Sequence, residues 1–211
     1  MITRALFTLS ISLAATSVFG QSLEKILDKD VPVIWVGLDF SNAKLIGDRE
    51  KYGSLSDIQY LIKAWNDLIE TEKERYNVAR FTRKKTAEYH AEIARKRNDE
   101  LDVSVLLSNV KEDNAHLKQD DIETIVHSYD FEALTGLGLM FNVESLSELH
   151  HQAAIWTTFI DLSSKEIIAT ERFITGPSGN GMRNYWGRSF LEAMEKLERQ
   201  IELWRKKNIQ K

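Results

Sequence analysis

Residues 137–175 read LGLMFNVESLSELHHQAAIWTTFIDLSSKEIIATERFIT and contain the most regular pattern in the chain. From Leu137 to Val143, apolar side chains occupy every second position, which is the period of a β-strand with one face on a core. Two further β-rich runs, Ala153–Leu162 and Glu166–Thr175, are joined by a short polar link at 163–165. This stretch therefore predicts three strands, the last two of which form a tight antiparallel hairpin.

The segments outside this stretch predict the rest of a layered fold. Residues 31–40 are apolar on both faces, which is typical of an interior strand. Apolar residues at spacings of three and four predict amphipathic helices within 58–69, 122–129 and 190–204. The order of elements favours an α/β (α+β) fold, with a single mixed sheet that ends in a C-terminal β-hairpin and is covered by amphipathic helices.

Two segments are less regular than the rest. Residues 42–53 are predicted to be a polar connection with two glycines. In residues 72–118, charged side chains interrupt every apolar pattern, so that Lys84–His90 is predicted only as an exposed strand and 94–107 as partly helical.

The composition is that of an ordinary folded protein and excludes several classes. The chain has 211 residues, 43% of them hydrophobic, with 28 Lys and Arg against 32 Asp and Glu and no Cys. The lack of Cys excludes thiolate nucleophiles, Cys-ligated zinc and iron–sulfur sites, and the acylated Cys of a lipoprotein. A net charge of −4 gives no reason to expect nucleic acid as a partner.

Residues 1–20 depart from this composition and resemble an export signal. Arg4 precedes an apolar run from Ala5 to Ala15, and the segment ends at the small residue Gly20. The run is shorter than the roughly 20 residues that a membrane-spanning helix needs. We therefore expect a secretory signal peptide at 1–20 and a single α/β domain at 21–211, periplasmic or secreted, with no transmembrane segment after signal cleavage.

The most distinctive motif joins the last predicted strand to the C-terminal helix, where residues 176–188 read GPSGNGMRNYWGR. Glycines at a strand-to-helix turn can offer backbone N–H groups to an anion, arginines add charge, and an aromatic ring adds a flat apolar surface. The spacing matches neither the P-loop nor the dinucleotide-binding fingerprint. The alternative interpretation, and the commoner one, is a flexible turn whose aromatic residues cover the core. The candidate binding residues are Gly176, Gly179, Gly181, Arg183, Asn184, Trp186 and Arg188.

Three carboxylates near predicted strand ends, Asp39, Glu144 and Asp161, are candidates for acid–base chemistry. Catalytic carboxylates often lie at such positions in open α/β sheets. No nucleophile motif or partner base accompanies them, so each is also explained as a polar residue that ends a strand and opens a turn. The sequence therefore assigns no catalytic residue.

The histidines give no stronger signal. His150 and His151 follow Glu144 and Glu148, and these are side chains that can bind divalent metals. However, adjacent residues of a strand point to opposite faces, and no established metal-binding spacing accompanies them. The sequence thus predicts neither a metal site nor a cofactor.

Charge is distributed unevenly along the middle of the chain. Residues 80–97 carry seven basic side chains against two acidic ones, whereas 98–148 carry twelve acidic side chains against two basic ones. This asymmetry indicates either a basic patch that faces an acidic glycan, a lipid headgroup or a partner, or two solvated faces that partly pair with each other.

Within 138–188, the runs FNVESL (141–146), FIDLSSKEII (159–168) and GNGMRNYW (179–186) resemble a family of small secreted bacterial proteins with no assigned activity. The hairpin, the glycine-containing turn and the long terminal helix are more distantly similar to α/β envelope domains of the curli-secretion-component, penicillin-binding-protein-activator and TolB N-terminal types. The resemblance implies an accessory or assembly module and brings no catalytic residues with it. The missing acylated Cys separates this chain from the lipoproteins among them.

These observations favour an exported, non-enzymatic binding or envelope accessory protein whose partner is an envelope protein or a glycan. The alternative is a hydrolase that acts on an envelope or extracellular polymer through Asp39, Glu144 or Asp161. A third class, a carrier of small ligands, would require an enclosed apolar pocket.

Overall fold

Strand β5 (Leu137–Ser147) lies at the centre of a seven-stranded sheet in the computed structural model, which describes residues 23–209. On one side β5 pairs along its whole length with the antiparallel strand β6 (Gln152–Asp161). On the other side it pairs in parallel with β1 (Val33–Asp39) and then with the short strand β2 (Lys44–Ile46). The most regular stretch of the sequence is thus the axis of the fold.

Three further strands complete the sheet. β3 (Ala87–Tyr89) is parallel to β1, β4 (Leu107–Ser108) is parallel to β2, and β7 (Glu166–Thr175) is antiparallel to β6. β1 and β2 share one position in the sheet because only the turn at 40–43 separates them. The spatial order is therefore β3/β4, β1/β2, β5, β6 and β7, which confirms the predicted mixed sheet with its C-terminal hairpin.

Helices cover both faces of this sheet. In chain order they are α1 (23–27), α2 (Arg49–Tyr52), α3 (Leu55–Thr71), α4 (Val78–Phe81), α5 (Glu92–Asp99), α6 (Gln119–His127) and α7 (Met182–Ile209), with 3₁₀ turns at Val103–Leu106 and Lys111–Ala115. Apolar side chains of α1, α3, α4 and α7 form a large core on one face, whereas those of α6 form a smaller core on the other. The predicted covering of the sheet by amphipathic helices is confirmed.

The sequence located the long elements and missed the short ones. β1 is buried along its whole length, and Ser54 and Asp57 form the reciprocal cap of α3 that their spacing predicts. The expected connection at 42–53 instead contains β2 and α2. Elements of three or four residues are too short to show a period. β2 is defined by its pairing with β5 and β4, and α2 is joined to the sheet by the Tyr52 hydroxyl, which donates to the carbonyl of Leu146 at 2.7 Å.

The backbone of β1 is completed by two buried side-chain amides. β3 pairs with β1 only as far as Trp35, which leaves the edge of β1 beyond Gly37 without a neighbouring strand. There Asn66 accepts a hydrogen bond from the N–H of Leu38 at 2.8 Å and donates one to its carbonyl at 3.0 Å. Asn98 accepts from the N–H of Phe40 at 2.9 Å and donates to the Leu38 carbonyl at 2.8 Å. Helices α3 and α5 are thereby fixed to the end of β1.

Gly37 makes this close approach possible. Its φ is +118°, and a Cβ atom at this position would lie 2.8 Å from the Cβ of Ala94 and 2.9 Å from the Oδ1 of Asn66. A larger residue would therefore push both helices away from the strand.

We expect Asn66→Leu to destabilise the protein by about 1–3 kcal/mol, because the buried N–H of Leu38 would lose its partner, while the Leu38 carbonyl would keep only the hydrogen bond from Asn98. Urea unfolding followed by circular dichroism measures this change. Asn109→Leu, at an exposed position, is the matched control and should shift stability by less than about 0.5 kcal/mol. Equal effects of the two substitutions would contradict the role assigned to Asn66.

Lys84 anchors the start of the described chain. It was expected on an exposed strand, but it is 7% exposed and its Nζ donates hydrogen bonds of 2.6 Å to the carbonyls of Lys25 and Asp28 at the end of α1. Burial lowers its pKa to about 8.

The predicted signal peptide at 1–20 lies outside the described residues. Among the helices of residues 23–209, none combines the length and apolar character needed to cross a membrane.

The lowered pKa of Lys84 gives a pH dependence of known sign. Between about pH 8 and 10.5 the unfolded lysine holds its proton while the folded one has lost it, so the contribution of this residue to stability rises with pH. We expect the free energy of unfolding of the natural protein, minus that of Lys84→Met, to increase by about 2 kcal/mol from pH 7.5 to pH 10. Urea unfolding of both proteins at the two pH values provides the measurement. A difference that does not change with pH would show that the pKa of Lys84 is not lowered in the folded protein.

Candidate functional site

The glycine-rich turn at 176–181 is fixed to the rest of the protein at several points. The N–H of Gly176 donates to Oε2 of Glu192 at 2.9 Å, and the N–H of Ser178 donates to the carbonyl of Tyr185 at 3.1 Å. The indole N–H of Trp65, on α3, donates to the carbonyl of Arg183 at 3.1 Å. The turn is therefore bonded to α7 through Glu192 and Tyr185, and the first turn of α7 is bonded to α3 through Trp65.

An open groove of about 430 Å³ lies beside this turn. Gly179 and Gly181 have positive φ values of +112° and +76°, and no atom lies within 4 Å of the position that a Cβ would take at Gly181. The backbone of the turn is thus accessible from the groove. The lining residues come from α2, the end of β5, the turn and the start of α7, and they are Lys51, Glu148, Gly179, Gly181, Met182 and Tyr185.

The two candidate arginines are engaged in ion pairs within the protein. Arg183 contacts Oε1 of Glu72 at 3.1 Å, and Arg188 forms a bidentate pair with Glu195 at 2.8 and 3.1 Å. The hydrogen bonds from Arg188 lower the pKa of the Glu195 carboxyl. Neither arginine lines the groove beside the turn, and the side-chain amide of Asn184 donates to the carbonyl of Asn180. The structure therefore divides the predicted set into glycines that border the groove and arginines that do not.

Trp186 requires a correction. As a candidate binding residue it would offer a flat apolar surface to a ligand, but its side chain is fully buried in the large core, as the alternative interpretation of the motif predicts. On α7 it lies on the face that points toward the sheet, in line with Phe190 and Met194. The neighbouring ring of Tyr185 reaches the groove instead, and it packs edge-on against Trp186 with ring centroids 5.2 Å apart.

Asp39, the first candidate carboxylate, is buried near Tyr129, which follows α6. Its Oδ2 accepts from the amide of Asn142 at 3.0 Å and its Oδ1 from the N–H of Ser41 at 3.0 Å. Burial, followed by the charge of Asp39, raises the pKa of the Tyr129 hydroxyl. Asn142 in turn accepts from Thr158 at 3.3 Å. Asp39 thus belongs to a buried polar network that joins β1, β5 and β6.

Glu144, the second carboxylate, has no solvent exposure and is surrounded by donors. Its Oε2 accepts from the guanidinium of Arg172 at 2.6 Å and from the indole of Trp156 at 3.2 Å, while Oε1 accepts from the N–H of Leu117 at 2.8 Å. Arg172 also donates to the carbonyl of Asn114 at 2.8 Å. The Glu144–Arg172 pair therefore fastens residues 109–118, which we call the covering segment, to the sheet.

Asp161, the third carboxylate, lies at the opposite end of the sheet in the hairpin turn. It pairs with Lys25 at 2.8 Å, and this hydrogen bond lowers its pKa. Asp161 is aligned with Leu137, the first residue of β5, so that seven residues of β5 separate it from the level of Glu144. At about 3.4 Å per residue this is a separation of roughly 24 Å. The fold does not bring the three carboxylates together at an accessible site.

The histidines are also dispersed. His150 contacts Oγ of Ser147 at 2.9 Å, whereas His151 lies 3.4 Å from the hydroxyl of Tyr185. Across residues 23–209, no three His, Asp or Glu side chains are grouped so that they could hold a metal ion.

Sequence reasoning missed Asn142 and Arg172, the partners of two of its candidates. Both lie in correctly predicted strands, at positions whose parity faces the smaller core. A polar residue inside a predicted strand only weakly indicates a buried polar contact, because the second face of a strand can equally be exposed to water.

Comparison of the chain with models of protein families and with curated proteins found no match to either.

We expect Glu144→Gln to destabilise the protein by about 3 kcal/mol, because it leaves Arg172 without its counter-charge and turns an amide N–H₂ toward other donors. Hydrogen exchange at the Leu117 amide should become faster at the same time. Glu112→Gln, an exposed carboxylate of the covering segment, is the control for both measurements. If the two variants behave alike, Glu144 does not hold this segment.

Proposed function

We propose that this chain is an exported, non-enzymatic binding protein, an accessory protein of the bacterial cell envelope, and that it contacts an envelope protein through the groove beside the glycine-rich turn. The observation that carries the proposal is the groove itself, where accessible backbone, an aromatic ring and charges of both signs meet. Export rests on the sequence of residues 1–20.

The chemistry of the groove suits a polypeptide partner. Gly179 and Gly181 bring exposed backbone to the groove, and Tyr185 offers both a ring and a hydroxyl. Lys51 and Glu148 place one charge of each sign at its border. Accessible polar groups around an aromatic anchor are characteristic of protein interfaces, in which tyrosine is enriched.

The groove is also held in shape before any partner arrives. Glu192 holds the first residue of the turn, Ser178 is bonded to the backbone of Tyr185, and Trp65 holds the first turn of α7 that follows. A partner would therefore not bear the entropic cost of ordering the turn, which favours binding.

The alternative, a hydrolase that uses strand-end carboxylates, draws no support from the geometry. Asp39 and Glu144 are 1% and 0% exposed, and their oxygens accept hydrogen bonds from neighbouring groups of the protein. A general acid or base must come within hydrogen-bond reach of its substrate. The remaining carboxylate, Asp161, is paired with Lys25 at the far end of β5.

Site-specific photo-crosslinking tests this function. Tyr185 is replaced by the photoreactive residue p-benzoylphenylalanine in the native bacterium, and the matched control carries the same residue at Tyr60, which is 67% exposed on α3 and does not line the groove. We expect ultraviolet light to produce an adduct from position 185 and none from position 60. Protease should remove the added mass, because the proposed partner is a protein.

Other outcomes of the crosslinking experiment would overturn the proposal in distinct ways. A protease-resistant adduct from position 185 would identify a glycan as the partner. Identical adducts from both positions, or none from position 185, would remove the groove as the binding surface.

A further inference from the structure

A second groove, of about 400 Å³, lies farther along α7 and shares no lining residue with the one beside the turn. Three arginines from separate parts of the chain meet there: Arg75 precedes α4, Arg80 lies in α4, and Arg199 lies in α7. Arg80 belongs to the basic stretch of the sequence, whereas the other two are brought to it by folding. We call this feature the arginine groove.

The three arginines have no direct ion-pair partner in the described part of the chain. Within residues 23–209, no carboxylate oxygen lies within 4 Å of the guanidinium nitrogens of Arg75, Arg80 or Arg199. This differs from the ion pairs that Arg183 and Arg188 form. All three side chains are exposed, so their charges face the groove and the solvent.

Two of the three acids in the groove are already paired with arginines that do not line it. Glu195 is bound by Arg188, and Glu198 is contacted by Arg83 at 3.3 Å. Glu74 is the remaining acid. With three unpaired guanidinium groups against one such carboxylate, the arginine groove has an excess of about two positive charges.

Aromatic rings support two of the guanidinium groups. The Cζ of Arg75 lies 5.5 Å from the ring centre of Tyr76, and the Cζ of Arg80 lies 5.0 Å from that of Phe81. Both rings are buried, so each guanidinium rests on a fixed surface. Phe81 and Leu191 also line the groove, but they are only 3% and 8% exposed, so the arginines form most of its accessible surface.

We propose that the arginine groove binds a phosphate monoester whose organic group packs against an exposed guanidinium group. A phosphate monoester carries nearly two negative charges at neutral pH, which matches the charge excess of the groove. Guanidinium groups bind phosphate through paired N–H donors, and a volume of about 400 Å³ is sufficient for a small organic molecule. This site is independent of the groove beside the turn.

Isothermal titration calorimetry with phenyl phosphate tests the site, and inorganic phosphate serves as a second probe. We expect phenyl phosphate to bind more tightly than inorganic phosphate because its ring can stack on an exposed guanidinium group that rests on Tyr76 or Phe81. Arg80→Gln and Arg199→Gln should each weaken binding about tenfold, the effect of losing one charge-assisted hydrogen bond. Arg49→Gln, which removes an exposed arginine of α2 outside the groove, should leave the affinity unchanged.

A vesicle arm identifies the source of the phosphate. Phosphatidylcholine vesicles with and without phosphatidic acid present the same monoester on a membrane surface. If phenyl phosphate or phosphatidic acid vesicles bind and this binding is lost in Arg80→Gln, the proposal is supported. A preference for phenyl phosphate identifies a soluble ligand, and a preference for the vesicles identifies a lipid headgroup. The proposal would be overturned if neither phenyl phosphate nor the phosphatidic acid vesicles bind, or if Arg49→Gln loses as much affinity as Arg80→Gln. Thermal unfolding verifies that all variants are folded.

Discussion

The hydrogen bonding of β1 beyond Gly37 is the constraint on which the rest of the structure depends. A buried backbone group without a partner is costly, and β3 is too short to supply partners past Trp35. Asn66 and Asn98 supply them from α3 and α5, so two helices are fixed to the sheet at the point where β1 ends. The chain then turns and resumes beside β5 as β2.

A second set of polar contacts gives the strand-end carboxylates a structural role. Glu144 is stabilised by Arg172, Trp156 and the backbone of the covering segment, which has few apolar contacts of its own. Asp39 joins β1 to β5 through Asn142. Because the oxygens of these carboxylates accept hydrogen bonds from fixed donors, both residues stabilise the fold, and the grooves at the surface are the places accessible to a ligand.

Helix α7 connects the surface features. Its first residues border the groove beside the turn, and its middle contributes Leu191 and Arg199 to the arginine groove. Its remaining face packs Trp186, Phe190 and Met194 into the large core. Because one rigid helix carries both grooves, their separation is fixed, and two ligands could be held at once without competing for a residue.

The sequence by itself determined the long strands, the hairpin, the amphipathic helices and the position of the glycine-rich turn, because each is encoded in a period or spacing within a short window. Only the tertiary structure decided that Trp186 is buried, that Lys84 caps α1, and that Glu144 is paired with Arg172. It also decided which arginines stay unpaired, since Arg199 meets Arg75 and Arg80 only when α7 packs on α4. Burial and charge pairing depend on residues far apart in the chain, and no local pattern records them.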